Sequence, residues 1–284
     1  MTGPIEKSSS EHDATLDPIL ALLACPGCRG DLALQGARLR CQKCSHEYEI
    51  QKGIPLLARL GSNEQWNVAI DALTSVDYQE EFQRPNIGQR YRQRYEKRWW
   101  KRRTTQREIQ RIGQLLSSQS RCSRLLDIPC GGGRVSVPLA AATDLLLQAD
   151  ISLGQVLMAR QVMALEGKIA WFTASAFTIP LKDGAVDGAV CNRLTHHLPC
   201  EAEVERLIQE LVRVSTKFVI LSYYDHNSFK SLGRRLRGKY PGHTLRRKDV
   251  QTLAERHGTR VQIDVPLWYR GSRLRYALLQ KPGS

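Results

Sequence analysis

The chain has 284 residues, 42% of them hydrophobic, and carries a formal net charge of +14 at pH 7. This composition excludes a disordered chain and leaves room for one catalytic domain with a small appendage. The longest apolar run, PILALLAC, is too short to span a bilayer, and the polar start of the chain does not resemble a signal peptide. We therefore expect a flexible N-terminus at residues 1–17, no transmembrane segment and a cytoplasmic location. The sequence does not indicate an oligomeric state.

Four of the eight cysteines form two Cys-x-x-Cys pairs that are separated by twelve residues. Each pair can present two thiolates to one metal ion, and this spacing predicts a closed tetrahedral zinc site. A redox site would need only one such pair, and disulfides are rare in the reduced cytosol. We expect a structural Zn²⁺ that stabilises a zinc ribbon at residues 18–60, with the ligands Cys25, Cys28, Cys41 and Cys44.

The residues after the fourth cysteine extend this motif. Tyr48, Ile50 and the run GIPLL at residues 53–57 follow the cysteines in order. In this respect residues 25–59 resemble the zinc-ribbon family of activator subunits that partner eukaryotic tRNA, rRNA and release-factor methyltransferases. The resemblance implies a scaffold beside a methyltransferase, and no catalysis by the ribbon itself.

Positive charge is concentrated in two segments. Residues 84–107 hold ten Lys or Arg against one acid, and residues 226–248 hold eight against none. The first segment has apolar residues at helical spacing, so we expect a linker and a helical cap at residues 61–118. A solvated helix face would mix acids among the bases, whereas unmixed positive charge favours an acceptor with phosphates. Both segments are expected to border the acceptor site.

The rest of the chain, residues 119–284, alternates between strand and helix patterns. This alternation is typical of an α/β fold with a doubly wound parallel sheet, in which the ligand lies at the carboxyl ends of the strands. The predicted strands are 125–128, 145–150, 169–173, 186–191 and 217–224, and the predicted helices begin near Arg134, near Leu153 and at Glu201.

The segment LLDIPCGGGR, residues 125–134, places Asp127 and three glycines after the first of these strands. A dinucleotide site requires Gly-x-Gly-x-x-Gly, but Ser136 occupies the position of the third glycine. Asp127 would also repel a pyrophosphate, whereas S-adenosylmethionine brings an ammonium and a sulfonium and no phosphate. The residues therefore favour S-adenosylmethionine over a nicotinamide dinucleotide. Asp150, which ends the second strand, can accept hydrogen bonds from both ribose hydroxyls.

Three segments match, in order, the motifs of class I S-adenosylmethionine-dependent methyltransferases: LLDIPCGGGR, QADISLGQVLMAR and FTASAFTIPLKDGAVDGAVCNRLTHHL. The chain resembles this family, in its small-molecule or type 11 form, from about residue 90 to its end. The resemblance implies a Rossmann-like methyltransferase domain at residues 119–284. One departure is Ser175, which replaces the usual aspartate of the third motif but can still accept one hydrogen bond from adenine. The implied cofactor-binding residues are Asp127, Pro129, Gly131, Gly133, Asp150, Ile151, Ser175, Ala176 and Asn192.

The segment after the fourth strand, CNRLTHHLP, lacks the Asn/Asp-Pro-Pro-aromatic signature with which many methyltransferases align an exocyclic amine. Its candidate catalytic residues are Arg193, His196 and His197, because a histidine at this position can act as a general base for a hydroxyl acceptor. The alternative is that both imidazoles cap the next helix or line the pocket. Methyl transfer from a sulfonium depends mainly on alignment and often needs no strong base.

Two classes of anionic acceptor remain open. A structured RNA would use the basic segments for backbone contacts and Trp99, Trp100, Tyr223 or Tyr224 for base stacking. The order of ribbon and methyltransferase is similar to that of bacterial enzymes that methylate a guanine ring nitrogen in rRNA. A phosphorylated small molecule or a glycolipid needs only a local cationic rim. A third hypothesis is a non-catalytic, cofactor-binding activator of another methyltransferase.

Overall fold

The computed structural model describes residues 16, 18–58, 99–163, 169–238, 243–269 and 271–283. The predicted flexible N-terminus lies outside these residues except for Leu16, which is buried. Most of the predicted linker, including residues 84–98 of the first basic segment, also lies outside them. No helix in the described part of the chain is both long enough and apolar enough to cross a bilayer.

A four-stranded antiparallel sheet forms the N-terminal lobe, with its strands in chain order. The lobe is too small to enclose a core of its own, and its buried residues, such as Leu39 and Tyr48, belong to a core that continues into the larger domain. Its strands are β1 (Leu32–Gln35), β2 (Arg38–Cys41), β3 (Glu47–Gln51) and β4 (Ile54–Pro55).

The larger domain contains a seven-stranded sheet with the order β10-β11-β9-β8-β5-β6-β7. Five neighbouring strands, from β7 to β9 in this order, are parallel, as the alternating pattern predicts. In contrast, β11 runs antiparallel to both β9 and β10, because the short segment 267–273 joins β10 to β11 as a hairpin. The strands are β5 (Cys122–Asp127), β6 (Thr143–Asp150), β7 (Ile169–Thr173), β8 (Val186–Cys191), β9 (Ser215–Tyr224), β10 (Arg260–Pro266) and β11 (Leu274–Gln280).

Both faces of this sheet are covered, as expected for a doubly wound fold. Successive side chains of a strand point to opposite faces, so Leu125 belongs to one core and Leu126 to the other. The first core includes residues of α1, α2 and α3, and the second includes residues of α4, α6 and the N-terminal lobe. The helices are α1 (Trp99–Ser117), α2 (Ser136–Ala141), α3 (Leu153–Val162), α4 (Glu201–Val214), α5 (Phe229–Leu236) and α6 (Arg247–Arg256).

The N-terminal lobe is joined to the larger domain by backbone hydrogen bonds and by an ion pair. The backbone N–H of Ala24 donates to the carbonyl of Pro180 at 3.0 Å, and Leu56 forms a parallel bridge with Thr173 at the edge of the large sheet. The guanidinium of Arg29 lies 2.8 Å from the carboxylate of Glu210 on α4. The described part of the lobe is therefore packed against the large sheet and shares its core.

Candidate functional site

The four cysteines of the N-terminal lobe come together in space. All four sulfur atoms lie within 4.8 Å of one another, with Cys25 and Cys44 3.7 Å apart and Cys28 and Cys41 3.4 Å apart. Zn–S bonds of about 2.3 Å in a tetrahedron place the sulfurs about 3.8 Å from each other. The observed cluster therefore fits a closed, four-thiolate zinc site, with no position left for substrate.

Backbone N–H groups favour the thiolate of Cys41, one of the four cysteines. Burial opposes ionisation of Cys41, but the backbone N–H groups of Cys44 and Lys43 donate to its sulfur and lower its pKa to about 7. The hydroxyl of Tyr48 lies 3.0 Å from the sulfur of Cys25. Gly30 is required beside the cluster because a Cβ at this position would lie 3.0 Å from the Cys41 sulfur and closer still to Lys43.

In the larger domain, the loop after β5 contains three consecutive glycines whose backbone lies in the left-handed region. Gly131, Gly132 and Gly133 have φ angles of 51°, 76° and 76°, which side chains rarely adopt. A Cβ at Gly133 would lie 3.1 Å from the Cα of Ala159 on α3, whereas a Cβ at Gly131 would meet no atom within 4 Å. The loop is thus tightly packed on α3 at one end and open at the other, where backbone can approach a ligand.

Asp127 lies at the carboxyl end of β5, directly before this loop, and is completely buried. Its Oδ2 accepts hydrogen bonds from Ser136 Oγ at 3.3 Å and from Gln148 Nε2 at 3.2 Å. Its Oδ1 has no hydrogen-bond partner among the described residues. Burial and the nearby charge of Asp150 raise the pKa of Asp127 to about 8, although Ser136 and Arg134 act in the opposite direction.

Asp150 occupies the equivalent position at the end of β6. Its carboxylate accepts from the backbone N–H groups of Gly131 and Ser152, each at 3.0 Å. Burial raises its pKa to about 6, while those backbone donors lower it. Two buried carboxyl groups at the ends of adjacent parallel strands therefore flank the glycine loop.

A cleft that is open to solvent lies beside the loop at the carboxyl edge of the sheet. Four of the predicted cofactor-binding residues, Pro129, Ile151, Ser175 and Ala176, line it together. Ile128, Ala174, Phe177 and Leu194 complete a mostly apolar lining, and Phe177 and Leu194 carry no motif that would have identified them from the sequence. The cleft thus brings together residues that follow β5, β6 and β7.

Ser175 and Asn192 are both buried and both already have partners. Ser175 Oγ accepts from the backbone N–H of Phe177 at 3.3 Å, which leaves its hydroxyl hydrogen for a further bond. Asn192 Oδ1 accepts from the hydroxyl of Tyr276 at 3.1 Å. Ser175 therefore lies in the cleft wall, with a hydroxyl that can donate as well as accept.

Glu108, a buried carboxylate that the sequence motifs did not identify, forms ion pairs with two arginines beside the glycine loop and the end of β8. Glu108 on α1 is fully buried and pairs with two arginines, Arg193 after β8 and Arg134 before α2. Arg134 lies 2.9 Å away, and Arg193 donates from Nε at 2.8 Å and also from Nη2. The pairing connects α1, the glycine loop and the β8 edge. Glu108 is the only acid of α1, and this is the one signal by which the sequence could have indicated it.

The two candidate histidines lie in a stack of rings beside Arg193. His196 stacks on Tyr224 with 4.0 Å between ring centroids, and the ring of His197 lies 4.1 Å from that of His196 at a tilt of 39°. The guanidinium of Arg273 lies 3.7 Å from the centre of the Tyr224 ring. Burial, together with nearby His197 and Arg193, lowers the pKa of His196 to about 2. Burial and Arg193 lower that of His197 to about 4. Both imidazoles are therefore neutral at pH 7 but are weak bases.

Two of the aromatic residues considered for base stacking are excluded by their surroundings. Tyr223 is fully buried and its hydroxyl donates to Asp264 at 2.7 Å. Tyr224 lies between His196 and Arg273, so both faces of its ring are covered. Because successive side chains of a strand point to opposite faces, only one of these two consecutive tyrosines is buried in the core. The residues that cover the ring of Tyr224 come from other parts of the chain and could not be identified from the sequence. Trp99 and Trp100 remain exposed.

Comparisons with known proteins bear on the larger domain. Residues 126–218 match the family model described as a methyltransferase domain. The comparison with curated proteins found no match. Among solved structures, magnesium protoporphyrin IX methyltransferase from Synechocystis PCC 6803 with bound S-adenosylhomocysteine aligns with a TM-score of 0.54 and 19% identity, over 65% of this chain and 88% of that one.

Two further methyltransferase structures align with this chain to a similar extent. The Synechocystis enzyme with bound S-adenosylmethionine aligns with a TM-score of 0.52 and 17% identity, over 78% of this chain and all of that one. A methyltransferase from Thermotoga maritima aligns with a TM-score of 0.51 and 17% identity, over 68% and 96% of the two chains. Residues 126–218 are therefore similar to a methyltransferase domain, and the sheet that contains them has the fold of these S-adenosylmethionine-dependent methyltransferases.

Proposed function

We propose that this chain is an S-adenosylmethionine-dependent methyltransferase that acts on an anionic acceptor. The observation that carries the proposal is the pair of buried carboxyl groups, Asp127 and Asp150, which flank three left-handed glycines at the carboxyl ends of adjacent parallel strands. Two buried acids beside the loop suit a cationic ligand with a ribose, and they disfavour a pyrophosphate.

Each part of the cofactor has a matching group. Asp127 Oδ1, buried and without a partner among the described residues, is suited to accept from the ammonium of the methionine portion. Asp150 is suited to accept from the ribose hydroxyls, and Gly131 leaves the backbone open to the ligand. The apolar cleft beside them suits the adenine ring, with Ser175 and Ala176 at its edge. Bound S-adenosylmethionine supplies an electrophilic methyl group on a sulfonium.

The remaining residues of the site are proposed to align the acceptor. Arg193 is positioned by Glu108, and the stack of His196 on Tyr224 gives the acceptor side a rigid wall. The low pKa values of the histidines make strong general-base catalysis unfavourable, because a base is most effective when its pKa lies near the working pH. Alignment of a nucleophilic acceptor atom with the methyl group is therefore the main contribution of these residues. Arg193, His196 and His197 remain the candidates for acceptor contact.

The zinc ribbon is proposed to have a structural role. Its four cysteines fill the coordination of one zinc ion, and the lobe completes the second core of the large sheet. Its contacts with residues 173–182 connect it to the segment that follows β7 and forms one wall of the cleft. Loss of the metal would therefore disturb the cofactor cleft as well as the ribbon.

Calorimetric titration at pH 8 with S-adenosylmethionine and, separately, with NAD tests cofactor choice. We expect S-adenosylmethionine to bind and NAD not to bind. Asp127→Asn and Asp150→Asn are each expected to weaken binding by about 1 to 3 kcal/mol, the value of a lost charge-assisted contact. Asp144→Asn is the matched control, because Asp144 is an exposed acid at the opposite end of β6. Binding of NAD, or equal effects of all three variants, would refute the assignment.

Labelled S-adenosylmethionine identifies the acceptor class. The protein is incubated with total RNA and, separately, with an extract of lipids and small metabolites from cells that lack it. Label in RNA alone supports a structured RNA, and label in the organic extract alone supports a phosphorylated small molecule or a glycolipid. Label in neither, despite confirmed cofactor binding, would favour a non-catalytic activator that needs a partner methyltransferase.

A further inference from the structure

Helix α5 presents its apolar side to solvent. Phe229, Leu232 and Leu236 follow one another at helical spacing and are 73%, 46% and 79% exposed, whereas Ser231 is the buried residue of the helix. At 100° per residue the three apolar side chains lie within about 60° of one another, and Ser231 lies on the opposite side. A surface helix of a globular protein normally has the reverse arrangement.

Polar contacts hold the helix in this orientation. Ser228 caps the helix and its Oγ accepts from the backbone N–H of Ser231, while the two hydroxyls lie 2.8 Å apart. On the same inner side, Arg235 donates to the carbonyl of His226 at 2.8 Å. Ser228 Oγ also donates to the carbonyl of Asp225 at 2.9 Å. Because this bond and the Arg235 bond join the helix to the segment that follows β9, a rotation that buried the apolar side would break them. The outward apolar side is therefore a stable feature of the packing.

The apolar surface continues onto the hairpin loop between β10 and β11. A Cβ at Gly271 would lie 2.2 Å from the ring of Phe229, so the absence of a side chain allows the loop to close on that ring. Trp268 and Tyr269 in the same loop are 45% and 64% exposed. We call these exposed residues the α5 patch: Phe229, Leu232, Leu236, Trp268 and Tyr269.

Positive charge borders the patch. Lys230 and Arg237 lie together along one side of the apolar stripe of α5, and Arg234 lies further around the helix. Residues 226–248 contain no acid at all. A helix with Phe and Leu on one side and Lys and Arg on the other is typical of segments that lie in the interface of a membrane with anionic lipids. An RNA partner would pair with the cations but would leave Leu232 and Leu236 against polar phosphates.

We propose that the α5 patch docks on the surface of a bilayer with anionic headgroups. The apolar side chains enter the boundary between headgroups and acyl chains, and the lysine and arginine side chains extend to the lipid phosphates. Since α5 directly follows β9, docking brings the membrane to the carboxyl edge of the sheet, where the candidate site lies. An acceptor with an acyl chain would then reach the site without leaving the bilayer. The inference goes beyond methyl transfer and does not depend on it.

Flotation with vesicles, in the absence of any acceptor, tests the proposal. One set of vesicles contains phosphatidylcholine alone, and the other contains phosphatidylcholine with about one-third phosphatidylglycerol to supply the anionic surface. The protein is expected to float with the anionic set and far less with the neutral set. The double variant Leu232→Gln, Leu236→Gln is expected to reduce the partition coefficient about tenfold or more, because two leucines no longer enter the interface. The matched control is Val137→Gln, Val162→Gln, which removes two exposed apolar residues elsewhere and should bind like the unaltered chain.

Other occupants of the patch give different results, and each would overturn the proposal. A lower unfolding temperature of the leucine double variant would indicate that another segment of this chain covers the patch. A dimer that the variant dissociates, measured by light scattering, would indicate a second copy. Loss of binding to total RNA in the variant, with no vesicle binding by the unaltered chain, would indicate a nucleic acid. Failure of cofactor binding together with intact flotation would count against the proposed function alone.

Discussion

Cofactor binding is expected to release a proton from Asp127. In the unliganded protein, burial and the neighbouring Asp150 raise the pKa of this carboxyl group to about 8. At pH 7 the neutral acid therefore outnumbers the carboxylate by about ten to one. The ammonium of S-adenosylmethionine favours the carboxylate strongly, because opposite charges attract in a site without solvent.

The expected magnitude follows from that ratio. If the bound complex contains the carboxylate, binding at pH 7 releases about 0.9 proton per chain. The apparent affinity should then rise close to tenfold from about pH 6 to about pH 7, and by a smaller factor from pH 7 to pH 8, where about half of Asp127 is already ionised in the unliganded protein. Above about pH 8 the affinity should fall again, because the amino group of the ligand itself loses its proton near that pH. The pKa of Asp150 is raised to about 6, so protonation of Asp150 should lower the affinity further below about pH 6.

Isothermal titration at pH 7 in buffers with different ionisation enthalpies measures the released proton directly. The observed enthalpy should vary with the buffer for the unaltered chain and for the exposed-acid control Asp144→Asn. It should not vary for Asp127→Asn, whose affinity should also match that of the unaltered chain near pH 6 and fall behind it at pH 8. An enthalpy that is independent of the buffer in the unaltered chain, or an unchanged proton release in Asp127→Asn, would refute the assigned contact.

Two further predictions concern stability. Metal analysis should find about one zinc per chain. Cys25→Ser or Cys44→Ser should remove hydrogen-exchange protection from residues 18–58, because loss of a ligand removes most of the stabilisation of the ribbon. Folded, metal-free protein with four free thiols would contradict this prediction. Glu108→Gln should lower the free energy of unfolding by about 1 to 3 kcal/mol, because two partly buried arginines lose their charged partner while the amide keeps one acceptor. Chemical denaturation beside the exposed control Glu201→Gln measures the difference, and equal values for both variants would show that the buried pairing is not stabilising.

Local patterns in the sequence predicted the main elements well. The bounds of β7, β8 and α4 agree with those expected from apolar runs and from helical periodicity, because burial on one or both faces selects residue types at a fixed period. The cysteine spacing likewise predicted the sulfur cluster. The reversed direction of β11 was not predicted, since the direction of a strand depends on the length of its connection and on its neighbours.

The sequence by itself determined the chemistry of this protein's parts: four thiolates at the spacing of a zinc site, and carboxylates placed after two strands beside glycines that permit left-handed backbone. Only the tertiary structure decided which groups meet. It paired Glu108 with Arg193 from distant parts of the chain, covered both faces of Tyr224, and turned the apolar side of α5 outward. Local periodicity reports which residue types avoid water, whereas pairing, pKa values and exposure depend on neighbours that are remote in sequence and are set by packing.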